Sequence, residues 1–419
     1  MAKDREGDAN VTKKIILMLG TFDSKGEEFA YLHSELTRRG VSVIAMNTGV
    51  LGDTGLFPID IPAVTVASRG GVSLETLREN RDRGAAMRVM CAGARAVCRE
   101  WQEAGKIDGV IGMGGGGGTS IAATAMQGLP VGFPKVCITT LASGDTSEYV
   151  GSKDILLFPS IVDISGINRF SKLIISRAAG AVCGMAEADP IPDENDLPIV
   201  MLSMFGSTTP CVEECARLLK EEGFQSLVFH ATGSGGRAME ELIREGVAVA
   251  VLDITTTEWA DELCGGVLTA GEHRLEAPGE AGIPHVIVPG CLDMINFRSM
   301  DTVPEPYRNG TRNLYEWNPM VTLMRTNEEE NIRLGRILAE KANASAAPVA
   351  FLLPRGGLSV LDAKGQRFWS EEADNALFDS IRRHANPCIP IVEVGENIND
   401  PAFARRAVDL LMEIYTREP

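Results

Sequence analysis

The chain has 419 residues, 44% of them hydrophobic and 23% charged, and its 57 acidic and 40 basic side chains give a formal net charge of −17. That length suffices for two or three domains. The acidic balance argues against nucleic acid or an anionic membrane as a partner, because phosphate groups attract clustered lysine and arginine. The charged N-terminus, the lack of a long apolar run and nine scattered cysteines predict a cytoplasmic protein with reduced thiols and no metal centre.

The first fifty residues have the pattern of a βαβ unit. A strand is predicted at 15–19, a helix at 27–39 and a second strand at 41–46. In open α/β sheets, ligands bind outside the carboxyl ends of the strands. The polar loop after the first strand is therefore a candidate site. Its residues of interest are Gly20, Thr21, Asp23, Ser24 and Lys25.

Residues 50–73 are predicted to form a loop, and residues 74–103 a single long helix that is basic in its first half. The arginines of this helix are Arg78, Arg81, Arg83 and Arg88. We interpret them as a solvated face paired with Glu75, Glu79 and Asp82. The alternative is that one of them reaches a phosphate.

The third predicted strand, 108–112, leads into five consecutive glycines, Gly114 to Gly118, followed by Thr119 and Ser120. Such a run is costly to order, which favours either unusual backbone angles or a ligand that approaches bare backbone. A strand, a glycine turn and a helix start are typical of an anion site, because the helix N-terminus offers N–H donors. We therefore predict a phosphate cradle with both hydroxyls as donors. The alternative is a flexible turn, and no Walker A lysine follows the glycines.

The second half of the chain repeats the pattern of the first. A shift of 183 positions aligns the two predicted helix faces, placing Val212, Cys215 and Leu219 on Phe29, Leu32 and Leu36. Strands and helices then alternate to the end of the chain. The sequence predicts an α/β fold of two Rossmann-like subdomains with parallel sheets and an apparent internal duplication. The subdomains are residues 1–187 and 199–419, joined by an acidic, proline-rich linker at 188–198.

Two second-half residues are predicted to be catalytic. His230 ends a predicted strand and precedes the loop ATGSGG, which leads into a helix whose N-terminus can hold a carboxylate or phosphate. Glu258 follows the next strand. An acid–base side chain beside an anion site suits chemistry on a small organic acid. The alternative is that His230 only caps its own loop.

Five segments together resemble one known family: TFDSKGEE, GMGGGGGTS, HATGSGGRAMEEL, GGVLTAGEHRLEA and NPMVTLMRT. They are similar to the ATP-binding domain family whose best-known member is the N-terminal half of the tomato mosaic virus resistance protein. The resemblance runs from about Lys13 to Thr416. It implies two Rossmann-like subdomains, a homodimer, and ATP bound in the first subdomain.

The resemblance also implies which residues contact the nucleotide: Gly20, Thr21, Asp23, Ser24, Lys25, Gly114, Gly115, Gly116, Gly117, Gly118, Thr119 and Ser120. Lys25 would supply the positive charge that the glycines lack, and Asp23 would hold Mg²⁺ through water. The alternatives are an exposed first-turn lysine and a helix N-cap.

Two functions from different classes follow. The first is an ATP-binding regulatory or interaction module. The second is a metabolic enzyme acting on a small oxo- or hydroxy-acid, with its site in the second subdomain or in the cleft between the two. No motif of a known reaction class is present, so the sequence does not choose an enzymatic reaction.

Overall fold

A computed structural model describes residues 13–188 and 197–416 and divides the chain into two units, Met1–Pro192 and Asp193–Pro419. Most of the predicted linker, 189–196, lies outside the described residues. No described helix is both long and apolar enough to cross a membrane.

Unit 1 contains one parallel sheet with the strand order β2-β1-β3-β4-β5. Its strands are β1 Ile15–Gly20, β2 Ser42–Asn47, β3 Gly109–Gly114, β4 Lys135–Thr139 and β5 Leu156–Pro159. Its helices are α1 Gly26–Arg38, α2 Ala63–Arg69, α3 Leu74–Asn80, α4 Arg83–Glu103, α5 Gly116–Gln127, α6 Ser147–Val150 and α7 Arg169–Glu187.

The helices of unit 1 cover both faces of the sheet, as the hydrophobic runs of its strands require. Leu17 and Leu19 of β1 belong to a core with apolar residues of α4 and α5, whereas Ile16 and Met18 belong to a second core with those of α1 and α7. This alternation is the two-residue period of a strand. Because the helices cover the two faces of the sheet, the loops at the carboxyl ends of the strands lie along its edge.

Two predictions for unit 1 are wrong. The stretch predicted as a loop contains α2, and the long basic helix is interrupted between α3 and α4. Arg81 has a left-handed backbone with φ 51°, and the Asp82 carboxylate accepts hydrogen bonds from the N–H groups of Gly84 and Ala85 at 2.8 and 3.1 Å. A side-chain cap of this kind starts a new helix.

Unit 2 contains a parallel sheet with the order β7-β6-β8-β9-β13-β14 and an antiparallel sheet with the order β10-β12-β11. The strands are β6 Ile199–Met204, β7 Gln225–His230, β8 Ala250–Thr255, β9 His285–Gly290, β10 Met294–Phe297, β11 Leu314–Asn318, β12 Val321–Arg325, β13 Val349–Pro354 and β14 Ile391–Val394. The helices are α8 Thr209–Glu221, α9 Ser234–Arg244, α10 Glu258–Cys264, α11 Ala277–Ala281, α12 Glu328–Ala344, α13 Glu371–His384 and α14 Pro401–Tyr415.

The strand orders bear out the predicted pair of Rossmann-like folds. The first five parallel strands of unit 2 in chain order, β6, β7, β8, β9 and β13, occupy the positions of β1 to β5. The two aligned helix faces are buried alike, through Phe29, Leu32 and Leu36 in one unit and Val212, Cys215 and Leu219 in the other. The small antiparallel sheet is an insertion between β9 and β13 that the sequence analysis did not predict.

Candidate functional site

A cleft of about 710 Å³ opens at the carboxyl ends of β1, β2 and β3 in unit 1. It lies where the strand order reverses around β1, which is the place where open α/β sheets bind ligands. Its volume is within the range of small-molecule sites. The predicted residues that line it are Thr21, Asp23, Ser24, Lys25, Gly114, Gly115, Gly116, Gly117 and Gly118.

The glycine run is not a loop. Gly114 ends β3, Gly115 is the N-cap of α5, and Gly116 to Gly118 form the first helical turn. None of the five has a positive φ, so the expected unusual backbone angles are absent. Gly114 is required by packing, because a Cβ there would lie 2.5 Å from the Gly118 Cα.

The three middle glycines have no such packing reason. A Cβ on Gly115, Gly116 or Gly117 would have no heavy atom closer than 3.6 Å outside its own turn. Gly115 supplies no side-chain cap. The N–H groups of Gly116, Gly117 and Gly118 have no described backbone acceptor, whereas the Thr119 N–H donates to the Gly115 carbonyl at 2.8 Å. The cleft floor is therefore bare backbone at the positive end of a helix.

Arginines form the wall above this floor. Arg78, Arg81 and Arg83 line the cleft, and the Arg83 Nη2 lies 3.8 Å from the position that a Cβ of Gly117 would take. The Arg78 Nε donates to the Val50 carbonyl at 2.6 Å, which holds that side chain against the loop after β2. Basic side chains beside a helix N-terminus favour an anion between them.

The predicted pairing of these arginines with acidic neighbours is wrong. The side chains are exposed, as expected, but among the described residues none of the three makes an ion pair with Glu75, Glu79 or Asp82. The Asp82 carboxylate is engaged as the cap of α4 instead. The positive charge of the wall is left for a ligand.

The loop after β1 is tied to the loop after β2. The Asp23 Oδ2 accepts a hydrogen bond from the Leu51 N–H at 2.9 Å, and the N-cap of α1 is Lys25, so Asp23 does not cap this helix. The Lys25 ammonium donates to the Ile164 carbonyl. Lys25 was predicted to place its positive charge beside the glycines, but its ammonium is bound to this carbonyl. The side chain found beside the glycines is that of Arg83.

Three of the predicted contact residues have structural roles and do not line the cleft. A Cβ on Gly20 would lie 2.0 Å from the Phe29 ring, so packing requires this glycine. The buried Thr119 hydroxyl bonds the Gly114 carbonyl and the Thr139 hydroxyl, at 3.1 and 2.7 Å. The Ser120 hydroxyl donates to the Gly116 carbonyl at 2.9 Å.

One cleft residue was missed by the sequence analysis and has an unsatisfied polar atom. Thr48 follows β2, lines the cleft and is 2% exposed, yet its Oγ1 has no described hydrogen-bond partner. Buried polar groups are normally paired, so an unpaired hydroxyl at a cleft suggests a ligand or water. The sequence offered a weak signal, since Thr48 is a polar residue at a predicted strand end.

In unit 2, the predicted catalytic Glu258 is buried and is hydrogen-bonded to the backbone at the start of α9. It is 1% exposed, and its Oε1 accepts hydrogen bonds from the N–H groups of Gly233 and Gly236 at 2.7 and 3.1 Å. The N-terminus of α9, predicted to hold a ligand anion, is thus capped by the protein's own carboxylate. A Cβ on Gly236 would lie 2.2 Å from the Glu258 Oε2, which explains that glycine.

His230, its predicted partner, is exposed at the end of β7 and stacks on the Phe205 ring at 5.4 Å. Its carbonyl accepts the Thr232 N–H at 2.7 Å, in agreement with the alternative that this residue closes its own loop. No described hydrogen bond joins its ring to Glu258. The arrangement does not support an acid–base pair made of these two residues.

Glu258 is one part of a buried network around Arg274, whose guanidinium makes a bidentate pair with Asp253 at 2.6 Å and bonds the Glu258 Oε2 at 2.8 Å. Burial alone would raise the pKa of Asp253, but attraction and hydrogen bonding to Arg274 and His285 together outweigh burial and hold that pKa below its usual value. Burial raises the pKa of Glu258, against the attraction of the same guanidinium. Networks of this kind fix a core geometry.

A second buried cluster surrounds Arg325. Its guanidinium bonds Asp374 at 2.6 Å and lies 3.4 Å from Asp362, while Asp293 accepts the Ser359 hydroxyl at 2.8 Å. Burial raises the pKa of Asp293 to about 6, and the Asp293 Oδ1 has no described partner. Among the described residues, no group of three or more metal-ligating side chains is arranged to hold a metal ion.

Two family models match the chain. The uncharacterised protein family UPF0261 has an N-terminal domain model that matches residues 14–190 and a C-terminal domain model that matches residues 197–415. The chain belongs to this family. The two family domains coincide with units 1 and 2.

The UPF0261 relatives include bacterial and plant proteins. The chain is 48% identical over 395 residues to a UPF0261 protein of Clostridium tetani, covering 94% of this chain and 97% of that one. It is 37% identical over 420 residues to the ToMV resistance protein Tm-1(GCR237) of Solanum lycopersicum, covering 95% of this chain and 55% of the tomato protein. The predicted resemblance to the tomato protein is therefore confirmed, whereas ATP binding by the family stays a prediction.

Solved structures similar to this UPF0261 chain are remote. One is the UDP-N-acetylglucosamine 2-epimerase from Rickettsia bellii, with 13% identity, a TM-score of 0.23, and coverage of 66% of this chain and 78% of that one. Another is the Streptomyces sp. SF2575 glycosyltransferase SsfS6, with 14% identity, a TM-score of 0.20, and coverage of 95% and 99%. Similarities this low carry no argument about function.

Proposed function

We propose that the chain binds ATP in the unit 1 cleft and acts as a regulatory or interaction module. The observation that carries the proposal is that the Arg83 guanidinium lies next to Gly117, in the first turn of α5, where the backbone N–H groups are uncapped. Both are positive features of the cleft lining, and the two acidic side chains of the described lining, Asp23 and Asp82, each accept backbone hydrogen bonds. A phosphate group would satisfy both positive features, through backbone N–H donors and charge-assisted hydrogen bonds.

The rest of the cleft lining suits the other parts of a nucleotide. Apolar side chains stand beside the phosphate position and offer a surface for a base: Leu77, Ala86, Met87, Met90 and Ile121. Arg78 and Arg81 extend the cationic wall, so a chain of phosphates fits better than a single one. The Thr48 hydroxyl provides a further donor or acceptor.

Mg²⁺ is part of the proposal as a companion of the nucleotide. One Asp23 oxygen is held by the Leu51 N–H, and its other oxygen has no described hydrogen bond. Because Mg²⁺ keeps several waters and binds phosphates, one carboxylate oxygen is enough protein contact. The ion would neutralise phosphate charge and fix the shape of the phosphate chain.

Binding without chemistry fits this cleft better than turnover. Its described lining contains no histidine, cysteine or tyrosine, and its two carboxylates, Asp23 and Asp82, each have one oxygen bound to backbone N–H groups. In this proposal the other Asp23 oxygen contacts Mg²⁺, so it does not serve as a general base. We therefore propose that ATP acts as an effector of a cytoplasmic homodimer, and we infer the dimer from the resemblance to the tomato domain family.

The test is calorimetric titration with ATP, ADP and AMP, with and without Mg²⁺, of the wild type, Arg83→Ala and Arg88→Ala. Arg88 is exposed on the same helix but does not line the cleft, so it is the matched control. Loss of a hydrogen bond to a charged group costs about 1.5–3 kcal/mol, so Arg83→Ala should weaken ATP binding roughly tenfold to a hundredfold. Absence of ATP binding by the wild type would disprove the proposal.

A further inference from the structure

A second cavity, of about 450 Å³, lies at the carboxyl ends of β4 and β5, and we name it the β4–β5 cavity. It shares no lining residue with the unit 1 cleft, but the two linings approach each other near Gly115. Thr140 lines the β4–β5 cavity, and its Oγ1 lies 3.8 Å from the position that a Cβ of Gly115 would take at the cleft floor. A molecule in this cavity would lie beside the proposed phosphate position.

The lining of the β4–β5 cavity is rich in hydroxyl groups. Thr140 and Ser143 have no described side-chain hydrogen bond, and Ser160 donates its hydroxyl to the Val162 carbonyl at 2.7 Å while its lone pairs remain available. Asp163 is the one ionisable side chain in the described lining. Its Oδ1 accepts the Ile164 N–H at 2.8 Å, and no hydrogen bond to its Oδ2 is described.

The backbone at the rim of this cavity is strained. Ile161 has φ 64° and is 78% exposed, although a β-branched residue rarely adopts the left-handed region. The conformation is held by the Val162 N–H, which donates to the Ser160 carbonyl at 2.7 Å. Strain of this kind persists where the surroundings impose it, and it is concentrated at ligand sites.

We propose that the β4–β5 cavity is a second ligand site, which takes a small, neutral, polyhydroxylated molecule next to the nucleotide. Hydroxyl groups of such a ligand match the threonine and serine hydroxyls and the Asp163 carboxylate as donors and acceptors. A ligand carboxylate would be repelled by Asp163, so a polyol or sugar is preferred over a hydroxy-acid. The inference rests on the proposed function for its position beside a phosphate, and it makes the module a sensor of two ligands.

The experiment uses saturation-transfer NMR with three probes, glycerol, D-ribose and D-glycerate, on the full chain with and without ADP. Ser143→Trp fills the cavity from an exposed position, and Ser34→Trp, on the exposed face of α1, is its control. We expect signals from glycerol or ribose in the wild type and in Ser34→Trp, reduced more than tenfold in Ser143→Trp. Glycerol should give a signal severalfold larger than D-glycerate, which has the same carbon number, and Asp163→Asn should bring the ratio close to one.

Two results would overturn the inference: no signal from glycerol or ribose in the wild type, or a signal that survives Ser143→Trp. Calorimetric titration of the same samples with ADP separates this failure from failure of the proposed function. Nucleotide binding without probe binding rejects only the second site. If the wild type binds a probe, Ser143→Trp removes that binding and the wild type does not bind ADP, the ligand site in the cavity is supported and the nucleotide proposal is rejected.

Discussion

At the scale of single residues, the five consecutive glycines have two different explanations. Gly114 is dictated by the protein itself, because the helix closes over it, whereas Gly116 has nothing within 4 Å of its missing Cβ. The sequence predicts an anion site here because strand, glycines and helix start are contiguous in the chain. It could not separate the two explanations, since contacts between Gly114 and Gly118 exist only in the folded turn.

Gly116→Ala should separate stability from binding. Alanine is favoured over glycine in a helix by about 0.5–1 kcal/mol, so the thermal midpoint should stay constant or rise. The new methyl group would enter the cleft floor, and ATP binding should weaken roughly tenfold, as expected for about 1.4 kcal/mol. Gly84→Ala, in the first turn of α4 and outside the cleft lining, is the control. Unchanged ATP affinity in Gly116→Ala would remove the glycines from the site.

Glu258 is the residue for which the sequence prediction and the geometry differ most. A carboxylate after a strand of an α/β sheet is typical of an active site, but here it caps α9 and pairs with Arg274. No sequence signal distinguishes these roles, because Gly233, Gly236 and Arg274 reach Glu258 only through tertiary structure.

Glu258→Gln should therefore destabilise unit 2 and leave ATP affinity unchanged. Loss of one partner of a buried ion pair costs about 3–5 kcal/mol, which urea unfolding followed by tryptophan fluorescence would detect. Three of the four tryptophans, Trp259, Trp317 and Trp369, belong to unit 2. Glu262→Gln, an exposed neighbour, is the control. Wild-type stability combined with loss of a ligand or of turnover would restore the catalytic interpretation.

At the scale of elements, a charged side chain sets a helix boundary that apolar periodicity does not reveal. The pattern from 74 to 103 looked continuous, but Asp82 caps α4 and divides the segment into two helices. This break brings Arg81 and Arg83 to the cleft wall. The signal was present as a possible N-cap aspartate in the middle of a predicted helix, and the periodicity obscured it.

The cluster around Arg325 makes the stability of unit 2 depend on pH. Because the pKa of Asp293 is raised in the fold to about 6, its contribution to stability is present at low pH and is lost as pH rises through 6. Asp293→Asn should therefore stabilise the protein more at pH 8 than at pH 5.5, by roughly 1 kcal/mol, since one pKa unit corresponds to about 1.4 kcal/mol.

Urea midpoints at the two pH values measure this difference, with Asp409→Asn as an exposed control that should show no such change. An equal effect of Asp293→Asn at both pH values would show that the carboxyl is ionised throughout. The prediction then fails.

At the scale of the whole molecule, the sequence predicts the two parallel sheets, whose pattern is repeated, and does not predict the antiparallel sheet inserted in unit 2. The duplicated strand order of the two parallel sheets follows from a pattern present twice in the chain. The antiparallel strands β10, β11 and β12 occur once, among short apolar runs that no repeat supports. The cleft was predicted from its loops, whereas its arginine wall needed the tertiary fold.

We predict that the proposed homodimer forms through an apolar surface on α7. Most apolar residues of this helix pack against the sheet, but Phe170 and Leu173 remain 62% and 46% exposed. The wild type should have about twice the 44.9 kDa chain mass in light scattering, and Leu173→Asp should shift it towards the monomer. Ile332→Asp, at a site with 44% exposure in unit 2, is the control. An unaltered dimer in Leu173→Asp would exclude this surface.

We expect nucleotide phosphate to bind the N–H groups of the first α5 turn, and glycine-selective ¹⁵N NMR during an ATP titration detects this binding at the groups involved. The Gly116, Gly117 and Gly118 amides, assigned by single substitutions, should show saturable shifts, while the Gly132 amide should not move. Shifts confined to other glycines, or none at saturating ATP, would contradict it.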